Sequence, residues 1–327
     1  MWIFAISPRS SDPRTAWSQI DTTIRLADRY GFTGVLAHTG NDALFDPWLV
    51  GQHALDSTPR LEPLVAVNPV YHHPFAVAQW IAALTHRYQR RVFLNFVTGT
   101  ATPDRVALGD DLDHDRRYDR LREYAQIVLA LVDGAAPLTV TGDFYQLRGA
   151  RLRLPTPPGL RPVPFIAGQS PAAAQCSRAI EAVSVGMWRP QPPDRGESKG
   201  AYAGLIVRES DADAWRVARE RYPADPDLAA AGAAALRYTD ATWRHQAFAE
   251  AEEPNERPTW FWREPMRSMR ADCPYLVGGV ETLAPVLAAH QSAGFASLIL
   301  DLAPHDDDFR WAERLLTRAR ELAGPPG

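Results

Sequence analysis

The chain reads as an α/β protein, a (β/α)8 barrel of the TIM type with insertions. Three observations predict it. Short apolar runs alternate with segments of helical period along most of the chain. Each run is continuously apolar rather than alternating, as parallel strands are when helices cover both faces. Eight such runs fit within the 327 residues, and a right-handed βα series of that count closes on itself as one domain over 1–327.

Trp2-Ile3-Phe4-Ala5-Ile6-Ser7 is the first run, and Trp17, Ile20, Ile24 and Ala27 follow it at the spacing of one helix face. Gly34-Val35-Leu36-Ala37 precedes a helix at about 46–56, and Leu64-Val65-Ala66-Val67 precedes Val77, Trp80, Ile81 and Leu84. Val92 to Val97 makes a fourth run, followed by a polar loop and a helix with Tyr118, Leu121, Ala125, Val128 and Val132 on one face. Residues 138–154 interrupt this rhythm as a turn-centred pair of runs, a β-hairpin insertion. Val163-Pro164-Phe165-Ile166-Ala167 resumes the barrel pattern, weaker strands fall at about 182–187 and 202–207, and Ala296 to Leu300 precedes a terminal helix. Residues 222–275 mix an Ala run, a Glu/Pro-rich stretch and Trp260-Phe261-Trp262; their late, irregular position is that of an active-site lid.

A composition 46% hydrophobic and 23% charged supplies a large core and excludes general disorder. Lys and Arg number 35 against 39 Asp and Glu, so the net charge of −4 offers no basic field to nucleic acid or an anionic membrane. A small-molecule partner is expected instead. Cys176 and Cys273 are far apart, which indicates neither a disulfide framework nor a zinc site. No metal is expected at His72-His73 either, because adjacent residues of an extended segment point to opposite sides. With no leader and no apolar span of about 20 residues, the chain is expected in the cytoplasm.

The clearest chemical signal is Phe165-Ile166-Ala167-Gly168-Gln169-Ser170-Pro171. Gly168 ends a strand, Ser170 suits an N-cap, and Pro171 sits where a helix tolerates a missing N–H. Such a turn aims free backbone N–H groups and a positive dipole end at the barrel's carboxyl face, which is a phosphate cradle. Gly168-x-Ser170 also matches the start of a hydrolase nucleophile elbow, but Ala172 stands at the closing small position and Pro171 removes a donor the oxyanion hole needs. Asn95 and Thr98 fall near the rim at the end of the fourth strand, where barrel enzymes bind ligands and an amide can bond a ring edge. Gly109 to Tyr118 forms a charged loop opening the next helix.

Together these runs resemble one family. Thr33-Gly34-Val35 with Thr39-Gly40, Phe45-Asp46-Pro47-Trp48-Leu49-Val50, Leu64-Val65-Ala66-Val67-x-Pro69, Asn95-x-Val97-Thr98-Gly99, Leu112-Asp113-His114-x-x-Arg117-Tyr118, Gly142-x-x-Tyr145-x-Leu147-x-Gly149-Ala150 and Gly168-x-Ser170 occur in the order and spacing of alkanesulfonate monooxygenases. These belong to the bacterial luciferase-like group of flavin-dependent monooxygenases. The resemblance runs from residue 1 to about 210 and resumes at about 276–322. It implies a homodimeric or homotetrameric barrel that takes reduced FMN from a separate flavin reductase and uses O2 as co-substrate. It also implies cofactor contacts at Asp46, Ala66, Asn95, His114, Tyr118, Gln169 and Ser170, beside Thr98 and Gly168. An F420-dependent oxidoreductase, an alkanesulfonate monooxygenase proper and a non-catalytic flavin-binding barrel are the competing expectations.

Departures from the family bear on the substrate. Leu44 stands where the family has a Cys, Tyr202 and Gly204 where it has an Arg and a His, and Ala303 near where it has a Tyr. A sulfonate needs paired cationic donors. Trp188, Tyr202, Trp260 and Trp262 suit a hydrophobic or aromatic substrate of the secondary-metabolite kind instead, with Arg9, Arg189, Arg267 or Arg270 as possible anchors for a polar group.

Overall fold

The computed structural model describes residues 1–99, 101–192, 200–240, 245 and 258–324. In chain order the elements are β1 (Trp2–Ile6), α1 (Pro13–Arg29), β2 (Gly34–Ala37), α2 (Pro47–Ser57), β3 (Leu64–Val67), α3 (Pro74–Tyr88), β4 (Phe93–Phe96), α4 (Thr102–Ala107) and α5 (His114–Asp133). There follow β5 (Leu138–Thr141), β6 (Gln146–Ala150), β7 (Pro164–Ala167), α6 (Pro171–Ala179), β8 (Val183–Met187), β9 (Gly200–Arg208), α7 (Asp211–Arg221) and α8 (Pro226–Ala235). The last are β10 (Phe261–Trp262), α9 (Glu264–Arg267), β11 (Tyr275–Gly279), α10 (Val280–Ser292), β12 (Ser297–Asp301) and α11 (Asp306–Ala323).

Eight parallel strands close in the order β1-β2-β3-β4-β7-β8-β9-β12, with β12 returning to β1. This is the (β/α)8 barrel that the runs predict. β11 is a ninth parallel strand, laid along the second half of β9 from Gly204 to Arg208. β5 and β6 form a separate antiparallel pair. The helices begin where the sequence supplies caps: the carboxylates of Asp12, Asp46 and Asp113 and the hydroxyls of Ser170 and Ser210 each accept a first-turn N–H.

Strand periodicity decides what the barrel encloses. Phe4, Phe93 and Phe165 point inward and pack edge to face, with centroids 5.1 to 5.9 Å apart, among Leu36, Leu64, Val185 and Ile299. They plug the barrel's lower interior. Two residues further along each strand, on the same face, Ile6, His38, Ala66, Asn95, Ala167, Met187 and Asp301 line the cavity above. Intervening residues such as Phe96, Val67 and Ile166 face outward and pack beneath the helices.

Candidate active site

The cavity opens at the carboxyl ends of the strands and measures about 890 Å³, in the upper part of the ~300–1,000 Å³ range of small-molecule sites. One wall is a cradle of hydroxyls. Tyr118, on the first turns of α5, is buried beside Gly168, and the hydroxyls of Thr98 and Ser170 stand within hydrogen-bonding reach of it. Burial raises the Tyr118 phenol above its ordinary value, so it stays protonated and can donate. Ser170 Oγ accepts the Ala173 N–H at 3.2 Å, which leaves its own proton to donate. Gly168 is required here: a Cβ would stand 2.5 Å from Tyr118 Oη and 2.9 Å from Ala173 Cβ. Gln169 lies over Gly186, where a Cβ would meet its Nε2 at 2.7 Å.

Asn95 is buried in the cavity wall, and its Oδ1 has no hydrogen-bond partner among the described residues. A buried acceptor without a donor costs about 1–3 kcal/mol, so this atom is poised for a ligand N–H. The N3–H edge of a flavin supplies one, and the hydroxyl cradle at the start of α6 suits its phosphate. The residues present therefore fit FMN. Ser170 Oγ takes the Ala173 N–H and lies beside the Tyr118 hydroxyl, with no histidine paired to it among the described residues, which does not support a hydrolase triad.

His38 and Asp301, neither singled out by their sequence context, also face the cavity. Burial, and then the charge of Arg9, push the His38 imidazole down to about 4, and Ser7 Oγ lies 2.9 Å from its Nδ1. His38 is thus neutral at pH 7, with Nε2 left for a ligand. The same depression ties stability to pH. Below the unfolded value of 6.5 the unfolded chain takes a proton that native His38 refuses. Stability is expected to fall as pH drops from 6.5 through about 4, by up to about 3 kcal/mol in total. Urea denaturation at neutral pH and near the lower limit, run on wild type and His38→Gln, checks this: the variant should lose less.

The cavity gathers Arg9, Ala66, Asn95, Thr98, Tyr118, Gly168, Gln169 and Tyr202 from the residues expected, with Ser170 directly behind the cradle. Others lie elsewhere. Asp46 is exposed and caps α2, accepting the Trp48 N–H at 2.8 Å. His114 opens α5 outside the wall, with Nδ1 2.7 Å from Asp115. Trp188 follows inward-facing Met187 by one position, so it points outward, stacked on His290 at 4.0 Å. Trp260 packs against the core between barrel and helices, and Trp262 packs on Trp215 and Tyr222. Trp188 is a core residue, Trp260 and Trp262 are partly buried against the core, and none of the three lines the cavity.

Among the anchoring arginines, Arg270 lines the cavity, while Arg189 is exposed and Arg267 lies outside the wall. Of the lid expected at 222–275, Tyr222 and Met269 to Asp272 contribute to the cavity; 241–244 and 246–257 lie outside the described residues.

The model of the luciferase-like monooxygenases matches residues 1–297. The chain belongs to that family. It is therefore a flavin-dependent monooxygenase. A curated relative, the 4-(gamma-L-glutamylamino)butanoyl-[BtrI acyl-carrier protein] monooxygenase BtrO of Niallia circulans, is 27% identical over 302 residues, covering 87% of this chain and 86% of the relative. The oxygenating constituent of 3,6-diketocamphane monooxygenase from Pseudomonas putida, solved with FMN, shares the fold at a TM-score of 0.70 and 17% identity, over 99% of this chain and 98% of that one. The EDTA monooxygenase EmoA from Chelativorans sp. BNC1 superposes at 0.70 with 13% identity, over 99% and 95% of the two chains. Among the described residues no helix is long and apolar enough to cross a membrane.

Proposed function

We propose that this luciferase-like monooxygenase is the oxygenating component of a two-component system, receiving reduced FMN from a separate flavin reductase and using O2 to oxygenate a small organic substrate. The observation that carries the cofactor assignment is the Asn95 Oδ1, unpartnered among the described residues, in the same cavity as the Thr98 and Tyr118 hydroxyls, with Ser170 beside Tyr118. Reduced FMN, when bound, supplies the activation of oxygen. The chain's residues do the rest. The three hydroxyls and the start of α6 hold the phosphate, while Asn95 and Gln169 orient the ring. Leu36, Val97 and Ile299 keep water from the reacting face, and neutral His38 accepts a proton at Nε2.

Trp188, Trp260 and Trp262, expected to receive a hydrophobic or aromatic substrate, pack away from the cavity. Tyr202 and the aliphatic wall remain beside charged side chains, which suits an apolar body carrying a polar group. BtrO acts on an acyl group carried by a protein. That relative supports a place in metabolite building. Supplying FMN, a flavin reductase and NADH tests the proposal: a substrate should gain an oxygen atom from O2 only when chain and reductase are both present, and product formation without flavin would refute it.

Simple alkanesulfonates are expected to be turned over at least about a hundredfold less well than a suitable substrate, since an anion must replace its lost hydration with cationic donors. At 204 a side chain has no space, because a Cβ would lie 2.3 Å from the Tyr275 ring. Arg9 is paired with Asp272, and Arg270 bonds Asp225 at 3.3 Å and the Pro223 carbonyl at 2.8 Å. Sulfite release in the reductase-coupled assay measures this directly.

A further inference from the structure

We propose that Asp301, on the cavity wall beside Gly204 and Tyr275, is the subsite that receives a protonated amine of the substrate. The inference deepens the monooxygenase reading by naming a chemical class for the substrate's polar group. It starts from strand register. Gly204 of β9 is the partner of Asp301 on β12 and of Tyr275 on β11, so the three positions converge on one patch. Because residue 204 has no side chain, the Tyr275 ring lies across it, and Tyr275 Oη reaches Asp301 Oδ2 at 3.0 Å. Tyr222, the residue after α7, holds Tyr275 in turn, with their hydroxyls 2.7 Å apart. These linked hydroxyls orient the carboxylate, and among the described residues they engage one of its oxygens, Oδ2.

Charge then selects the ligand. Arg9, Arg105 and Arg270 all line the cavity, and each is already paired with an aspartate: Asp272, Asp240 and Asp225. Asp110, likewise at the wall, is bound by both terminal nitrogens of Arg120 at 2.8 Å. Asp301, by contrast, has a neutral hydroxyl for its hydrogen-bond partner. An anionic substrate group would have to displace a carboxylate from an arginine. A cationic one finds a fixed carboxylate on the cavity wall. Burial raises the Asp301 carboxyl from its ordinary value, opposed by the Tyr275 bond and the charges of Arg9 and Arg221, and an arriving ammonium relieves that same penalty. The wall around it, Tyr202, Met187 and Ile299, is aromatic and aliphatic and covers the carbon chain behind the amine.

The test uses the full chain without flavin and compares n-hexylamine with n-hexanol and hexanoate by calorimetric titration. The wild-type protein should bind the amine at least tenfold more tightly than the alcohol, and hexanoate more weakly than either. Asp301→Asn keeps an acceptor for Tyr275 and removes the charge, so it should abolish the preference for amine while FMN binds as in the wild type. Equal binding of amine and alcohol by the wild-type protein would overturn the proposal, and this comparison does not depend on the variant folding. A variant that binds FMN normally and retains the full preference would overturn it as well. Separate FMN titrations keep the readings distinguishable: amine preference without FMN binding supports the subsite and removes the flavin assignment.

Discussion

Replacing Ser170 by alanine and Tyr118 by phenylalanine together is expected to lower FMN affinity by about two to four powers of ten. Each change removes a neutral donor from a doubly charged phosphate, and a hydrogen bond to a charged group contributes about 1.5–3 kcal/mol, with 1.4 kcal/mol to each tenfold. The two hydroxyls flank Gly168 in one cradle, so their effects need not add. Ser170 also caps α6 through the Ala173 N–H, and losing that cap costs about 1 kcal/mol of local stability. A thermal melt separates the contributions: the variant should remain folded with a slightly lower midpoint. Fluorescence titration with FMN reads the affinity, and an unchanged value would place the phosphate elsewhere.

His38→Gln is expected to lower turnover by about 10²–10⁴-fold, the usual contribution of a positioned acid–base group, while changing FMN affinity little. Glutamine preserves a polar contact with Ser7 but has no ring nitrogen to take up a proton. Since burial and Arg9 hold His38 to about 4, its acidic limb should appear near that value rather than near 6.5. Rates under saturating substrate, taken across pH with a reductase that is not limiting, separate this role from a structural one. Equal turnover by the variant would remove His38 from the chemistry.

The barrel was legible because buried parallel strands announce themselves as continuous apolar runs, and all eight runs became its strands. β11 was harder to see: Tyr275-Leu276-Val277 is followed by two glycines and adjoins the irregular stretch before it. The hydroxyl cradle was legible from Gly168, Ser170 and Pro171, whose backbone roles are local. Which aromatics reach the cavity was not, because that depends on strand phase. Met187 and Trp188 differ by one position and face opposite sides. Counting two residues on from the inward Leu36 and Ile299 leads to His38 and Asp301, the signal that could have found both. Asp46 and His114 sit in motifs of the family; here the Asp46 side chain caps α2, while His114 bonds Asp115 and lies against the Tyr118 ring with centroids 5.2 Å apart.

Anaerobic mixing of the purified chain with photoreduced FMN, followed by a pulse of oxygen, tests the central claim most directly. Reduced FMN should bind, and its reoxidation should be slower than that of free reduced FMN, because the walls of the cavity shield the ring from water. Failure to bind reduced FMN, or hydride transfer from reduced F420 without any need for oxygen, would contradict it.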